Sequence, residues 1–497
     1  MGPWAQIKET HSAVVILLGD QAIKLKKPVN LGFLDYTTRQ ARRAVCHEEV
    51  ELNRRLAPDV YKGVADVLGP DGEVCEHLVV MQRMPEERRL ATMIRSGNPV
   101  DEHVRQVARM VSSMHDRSRH CLRIDRQGEA QALRCRWTAS FAQVRALPDA
   151  TLDTQVIQEI ERLALRFIDG RERLFSTRIS EGHIVDGHGD LLADDIFCLD
   201  DGPRILDCLE FDERLRFLDR LDDAAFLAMD LERLGAPRLA ELFLHWYTEF
   251  SGDLASPSLW HHYVAYRAFV RAKVAGLRRQ QGDLGAARQG RELAELALRH
   301  LRAGAVTLVL VGGTPATGKT TIAAAMADRL GYTLLNSDRI RKELAGITPE
   351  QPAPAPFGEG IYSREWTERT YQELLSRAER LLRHGEPVIL DASWSDAEQR
   401  EAAGRLARRT FSDLVALRCT ALPQLIAERL AHRAGGMSDA DQAIATAMTA
   451  KAALWPDAIE IDTSVSPEQA LERALAAIHA RWTTVPWRFR RPELEPG

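Results

Sequence analysis

Between Leu308 and Thr321 the chain reads LVLVGGTPATGKTT, an apolar run that ends in glycines, a lysine and hydroxyl residues. Gly313, Gly318, Lys319 and Thr320 stand at the spacing G-x-x-x-x-G-K-[ST], and the chemistry this permits is the binding of a nucleoside triphosphate. Along Gly313, Thr314, Pro315, Ala316, Thr317 and Gly318 the backbone N–H groups can turn inward on phosphate oxygens. Lys319 can reach the outer phosphates, the Thr320 hydroxyl can hold Mg²⁺, and Thr321 leads into a helix whose positive end faces the anion. A second set of residues stands over a hundred positions upstream. His188, Gly189 and Asp190 are followed by Asp195, and Asp207 closes the run RILD. Three carboxylates on two adjacent strands would repel one another without a cation, so this set also points to a metal and to phosphate chemistry.

The elements that must carry these groups can be read from periodicity. Residues 13–28 hold two short apolar segments around Gly19 and Asp20, a β-hairpin pattern. A helix is expected over about 38–56, a strand over 78–84, and helices through most of 100–180, where apolar residues recur at i, i+3 and i+4. DIFCLD and RILDCLE read as two strands around the turn Asp201, Gly202, Pro203, and more helices fill 217–300. After about residue 304 the pattern becomes alternating strands (306–312, 333–336, 387–391, 412–419, 458–462) and helices, which implies a parallel α/β sheet covered on both faces. The division expected is 1–303, 304–482 and a Pro- and Arg-rich tail, 483–497.

In the second part, Asp338 ends a strand where an acceptor hydroxyl would approach and is read first as catalytic, the alternative being a cap on the helix 338–345. Arg339 and Arg341 follow it, and Asp391 ends the strand PVILD, where a carboxylate can hold Mg²⁺ through water. Arg429 and Arg433 lie four apart before a Gly-Gly stretch, a pattern that suits a lid carrying arginines onto phosphates or a solvated helix face. Together these features resemble the adenylate-kinase-like P-loop kinases of the polynucleotide-kinase and zeta-toxin branch. The resemblance implies that Asp338 activates the acceptor hydroxyl and Arg341 contacts an acceptor phosphate.

The order of a small β-rich lobe, a helical lobe and an acidic hairpin resembles the protein-kinase-like fold of aminoglycoside phosphotransferases. That resemblance implies that Asp190 orients the acceptor hydroxyl and that Asp195 and Asp207 bind Mg²⁺. The family has Asn at the position of Asp195, so this chain adds a negative charge beside the triphosphate. The fold also needs a strand lysine and a helix glutamate. Lys24 and Lys26 share one strand face, Lys26 being preferred, and Glu49 is the expected partner, with Glu48 and Glu51 as rivals. No glycine-rich loop stands in the first hairpin, and Thr10, His11 and Ser12 are the substitutes on offer. On the later helix Arg267 and Arg271 share a face, with Arg278 seven residues on; they suit either an ion-pair network or an anionic acceptor. As a whole the chain is similar to bacterial two-domain proteins that join these two kinase folds.

Bulk properties bound the partners. A formal charge of −5 over 497 residues gives no general basic field for nucleic acid and leaves only a local patch open. The seven cysteines are scattered with no C-x-x-C pair, as in a reducing compartment. No apolar run approaches the roughly 18 residues of a membrane span, and the amino end has no signal-peptide core. The expectation is a cytoplasmic, ATP- and Mg²⁺-dependent phosphotransferase with two centres acting on small hydroxylated molecules. Its rivals are a single P-loop kinase governed by a nucleotide-sensing domain and a nucleic-acid 5′-end kinase. Composition gives no oligomeric state.

Overall fold

The computed structural model describes residues 5–10, 12–30, 34–147, 152–348, 351, 359–432 and 453–479. The amino-terminal part opens with an antiparallel sheet of β1 (Ala5–Glu9), β2 (Ala13–Leu18), β3 (Gln21–Lys26), β4 (Tyr61–Leu68) and β5 (Val74–Gln82) in the order β1-β2-β3-β5-β4. The helix Arg39–Asn53 lies against it, begun by Thr38, whose hydroxyl accepts from the Ala41 N–H. Ala22, Cys46, Val50, Tyr61, Val79 and Met81 form the core between them. Glu49 sits on the same buried helix face, fully enclosed, so the sheet must supply its partner.

The helical lobe follows. Its hub is Trp137, packed against Phe141, Tyr266, Phe269 and His262. The helix Arg220–Arg233 is buried nearly all round, which is why it reads as apolar on every face apart from four acidic positions and its terminal arginines. Two short ribbons hold the loop between residues 186 and 196: β6 (Ile184–Asp186) with β9 (Phe217–Asp219), and β7 (Ile196–Leu199) with β8 (Gly202–Ile205). The second expected strand therefore stops short of Asp207. That residue takes a left-handed φ of +63°, which ends the extended run.

The carboxy-terminal sheet is parallel throughout, β10 (Thr307–Gly312), β11 (Thr333–Asn336), β12 (Val388–Asp391), β13 (Asp413–Thr420) and β14 (Ile459–Asp462), in the order β11-β12-β10-β13-β14. Every residue of β10 and β12 is buried, as continuous apolar runs in a doubly covered sheet require. No helix among the described residues is long and apolar enough to cross a membrane. All seven cysteines are unpaired; Cys46, Cys198, Cys208 and Cys419 are buried, and Cys75, Cys121 and Cys135 are exposed.

The helical lobe and this sheet share one hydrophobic cluster. Most of the polar contacts across the seam are made to main-chain carbonyls. Ser256 and Ser258 both donate to Gly385 O at 2.7 Å, Arg171 donates to Thr410 O at 2.5 Å, and Arg166 donates to Ser412 O at 2.9 Å and to Asp413 at 3.0 Å. Gly385 precedes β12, and residues 410–413 lead into β13. The lobe thus grips the amino-terminal edge of the parallel strands and leaves their carboxyl edge, where the phosphate-binding loop emerges, open.

The seam makes a paired prediction. A Cβ on Gly170 would lie 2.4 Å from Thr410 O, so Gly170→Ala should cost about 1–3 kcal/mol of stability. Gly404 sits inside the helix Ala397–Arg409 with nothing nearer than 3.6 Å, so Gly404→Ala should add about 0.5–1 kcal/mol. Urea midpoints moving in opposite directions are expected; a neutral Gly170 variant would refute the close approach.

Candidate functional site

Around the phosphate-binding loop the backbone is bent into conformations that only special residues tolerate: φ is +142° at Gly313, +64° at Ala316 and +80° at Gly318. A side chain at Gly313 would collide with Thr317 Oγ1 at 2.5 Å and Cys419 O at 2.7 Å. The loop is braced from outside. The Thr317 hydroxyl donates to Thr314 O at 2.8 Å, and Thr463, just past β14, donates to Thr317 O at 2.8 Å. Arg429 donates to Ala316 O at 3.2 Å and to Thr463 O at 2.8 Å. This corrects the lid expectation for Arg429, whose donors hold the loop's carbonyls in place. Arg433 and the Gly-Gly stretch lie outside the described residues.

Asp391, at the end of β12, is fully buried. One carboxylate oxygen accepts from Asn336 Nδ2 at 2.7 Å, and Oδ1 has no hydrogen-bond partner. Burial pushes its pKa up, against the pull of Lys319 and the nearby Thr320 hydroxyl. An orphaned acceptor oxygen beside Lys319 and Thr320 fits Mg²⁺ held through water. Asn336, rather than Asp338, caps the helix Ser337–Leu344 by accepting from the Arg339 N–H at 2.9 Å. Asp338 is therefore free of the capping role, and its charge reaches Asp391 and Tyr371. Arg341 turns inward with its guanidinium 4.8 Å from the Tyr362 ring, and its Nε lacks a partner. Arg339 stays outside on Glu343. Sequence reasoning missed Tyr371 and Ser393, whose hydroxyls lie 3.2 Å apart near this group, because neither stands in a motif.

In the amino-terminal part Lys24 Nζ lies 2.8 Å from Glu49 and 2.7 Å from Asp207. Lys26 pairs with the other oxygen of Glu49 at 2.7 Å and with Glu210, and is buried. The preference for Lys26 is thus corrected: both lysines meet Glu49, and Lys24 alone also meets Asp207. Period-two alternation puts both on one face, and only the tertiary register separates them. Lys24 holds the Asp207 carboxyl down at about 2 against the opposing effect of burial.

The loop carrying Asp190 is positioned by Asp223, which accepts from the backbone N–H of His188 at 2.7 Å and of Gly189 at 2.8 Å. His115 lies 3.0 Å from the same carboxylate. These contacts hold Asp223 well below the usual carboxylate range despite its burial. Nothing in the sequence singled out Asp223 for this role beyond its place among buried acids. Burial raises Asp190 to about 6, with Arg271 pulling the other way. Asp195 is raised by burial and then by Asp207 and Asp190, which shows three carboxylates within one another's field. Among the described residues no three or more such groups close into a full protein cage for a metal. Two or three carboxylates with room for phosphate oxygens still fit Mg²⁺, which keeps waters and substrate oxygens in its shell. Thr10 closes its own turn on Ala13, with both contacts at 3.0 Å, so it is not a free phosphate donor; His11 lies outside the described residues.

With this geometry in view, relatives can be placed. Residues 308–454 match the family model of an AAA domain. The chain is 44% identical over 472 residues, 95% of each chain, to the "Uncharacterized protein Rv2004c" of Mycobacterium tuberculosis strain H37Rv. It belongs to that family. The "Uncharacterized protein Mb2027c" of Mycobacterium bovis gives the same figures. Solved structures similar to parts of the chain include a sugar kinase from Janibacter sp. HTCC2649 (23% identity, 35% of this chain and 94% of that one, TM-score 0.28). Another is a choline/ethanolamine kinase family protein from Mesorhizobium loti (13% identity, 61% and 93%, TM-score 0.35). By its own architecture the chain has two parts. An antiparallel sheet and helical lobe carrying a lysine–glutamate–aspartate chain precede a parallel sheet that bears the phosphate-binding loop.

The two lysines should respond differently to mutation. Lys24→Ala should weaken Mg·ATP binding at the amino-terminal centre about tenfold or more, the scale of a lost charge-assisted contact, while the fold persists. Lys26→Ala leaves Glu210 with only the Tyr36 hydroxyl and half of Glu49 without a partner, and should cost about 3–5 kcal/mol of stability. Calorimetric titration and urea unfolding of each variant check this, and the reverse order would refute the assignment.

Proposed function

We propose that this chain is an ATP- and Mg²⁺-dependent phosphotransferase with two centres, each passing a phosphoryl group to a hydroxyl of a small molecule. The observation that carries the amino-terminal centre is Lys24 bridging Glu49 and Asp207, which fixes a cation beside the carboxylates that would face Mg·ATP. There Asp190 would accept the acceptor's hydroxyl proton, and Lys24 would meet phosphate oxygens as Asp207 turns to the metal. Mg²⁺, held by Asp195 and Asp207 here and by Thr320 with water-bridged Asp391 at the other centre, would supply charge neutralisation. At the carboxy-terminal centre the loop from Gly313 to Thr321 would cradle the phosphates, Lys319 would steady the γ-phosphoryl group, and Asp338 would orient the attacking hydroxyl. Arg341, inward and lacking one partner, would hold the acceptor. Unpaired thiols throughout suit a cytoplasmic setting.

A second reading, in which the amino-terminal half only senses nucleotide for the P-loop kinase, is favoured by two features. Thr10 is consumed in its own turn, and Asp195 adds a charge. The decisive experiment is calorimetric titration of Mg·ATP into folded Lys319→Ala protein. Binding at one site per chain, lost on adding Asp207→Ala, is the expected outcome. No binding to the single variant, with wild type binding once, would leave one P-loop enzyme. If Asp190→Ala then keeps all phosphoryl transfer and alters only its ATP dependence, the sensing role replaces catalysis at that half.

The pH profile gives a further check. Asp190 is raised to about 6, so it can accept a proton only above that value. Transfer at the amino-terminal centre in the Lys319→Ala background should therefore fall about tenfold per unit as the pH drops below 6. A profile flat from pH 5 to 7 would exclude Asp190 as the proton acceptor.

A further inference from the structure

The helix Pro257–Gln280 packs along the buried helix Arg220–Arg233, which holds the Asp190 loop through Asp223. Each acidic group on that buried helix already has its partners. Asp222 takes Arg267 at 2.7 Å, Asp223 takes His115 and two backbone N–H groups, and Asp230 takes Arg233 at 2.6 Å and the Ala193 N–H at 3.0 Å. Arg267 is fixed further by the Phe226 ring, 4.8 Å from its guanidinium. One helical turn on, Arg271 is half-buried and forms no hydrogen bond or ion pair among the described residues. Its charge and that of Arg267 are the cationic fields that reach Asp190. A half-buried guanidinium whose charge reaches Asp190, with every acid on the packed helix already engaged, has donors left over for a ligand.

We propose that Arg271 forms the anion-binding end of the amino-terminal acceptor site, so that this centre phosphorylates a hydroxyl on a molecule that itself carries a phosphate or carboxylate group. This rests on the reading of that half as a phosphotransfer centre. A cationic or neutral acceptor would leave the Arg271 guanidinium beside it without a counter-charge. An anionic acceptor meets the planar fork of donors at one end and presents its hydroxyl to Asp190 at the other.

The test is modification of the full-length protein by phenylglyoxal, with Arg271 followed by peptide mass spectrometry and the exposed Arg279 of the same helix as reference. Inorganic phosphate is the anionic probe and choline chloride, at equal ionic strength, the cationic one, each with and without saturating Mg²⁺ and a non-hydrolysable ATP analogue. Phosphate should slow modification of Arg271 relative to Arg279 about tenfold, the scale of a charge-assisted contact, and should do so with the analogue bound. Choline should give no protection. Protection by the analogue alone would mean that Arg271 meets the nucleotide, and equal rates at Arg271 and Arg279 under phosphate would mean that no anion site exists; either result overturns the proposal. Because phosphate protection is read without nucleotide, it stands apart from the Asp207 titration. Protection by phosphate with no nucleotide binding in Lys319→Ala would overturn the phosphotransfer centre and with it the acceptor role.

Discussion

The amino-terminal half depends on one chain of alternating charges, Asp207–Lys24–Glu49–Lys26–Glu210, buried at Glu49 and Lys26 and exposed at Asp207. Signs alternate along it, so each member faces opposite charge, and removing the buried Glu49 or Lys26 leaves charge undercompensated in a low-dielectric interior. The chain also ties three separate pieces of sequence together: β3, the helix Arg39–Asn53, and the segment after β8. Its geometry leaves Asp207 at the open end, in a left-handed conformation that an aspartate tolerates better than most residues. A charge relay that is closed at the Glu210 end and open at the Asp207 end directs its one adjustable contact toward the cleft.

The seam with the carboxy-terminal sheet answers a different constraint. A parallel sheet has two unlike edges, and nucleotide sites belong to the carboxyl edge, beyond the ends of the strands. The helical lobe attaches at the opposite edge, through carbonyls that the strands have not yet engaged, at Gly385, Thr410 and Ser412. Binding there costs the phosphate loop nothing and gives acceptors to the two serines and to one Arg171 nitrogen, while Arg171 Nε stays without a partner. The helical lobe and the sheet also share one hydrophobic cluster behind this seam, so packed side chains join the two parts.

What was legible in the sequence follows the range of the signal. The phosphate loop was readable because its constraint is local: glycines, lysine and threonine act within eight positions. The β-α alternation after residue 304 was equally plain, as was Asp391 at the end of a buried run. The amino-terminal sheet was read only in part. β1 is wholly exposed and so has no apolar alternation, and β4 is interrupted by an irregularity at Gly63. Asp190, Asp195 and Asp207 were readable as a set, and the structure brings their fields together. The choice between Lys24 and Lys26 was not readable, since both face the same side and a partner 183 residues away decides it. Asn336 as the cap, Arg429 as a brace and Asp223 as the holder of the loop were hidden for the same reason. Each acts on main-chain atoms, which carry no residue identity.

The two candidate sites are built from opposite materials, and this has a chemical consequence. The carboxy-terminal one relies on backbone N–H groups in a fixed loop, with a single orphaned carboxylate oxygen turned toward the metal position. Its dipoles do not titrate, so its grip on phosphate is set once the loop is folded. The amino-terminal one is assembled from side-chain charges. Asp190 and Asp195 are both displaced upward by burial, and Asp207 is held down by Lys24. A site of this kind changes its net charge with pH and with metal, because protonating one carboxylate relieves its neighbours. Asp195 sharpens the effect: where an amide would be neutral throughout, a carboxylate competes with Asp207 for the same cation. On the proposed reading, the amino-terminal half is the one whose occupancy would follow free Mg²⁺ and pH, whether it transferred the phosphoryl group itself or only reported the nucleotide to its partner.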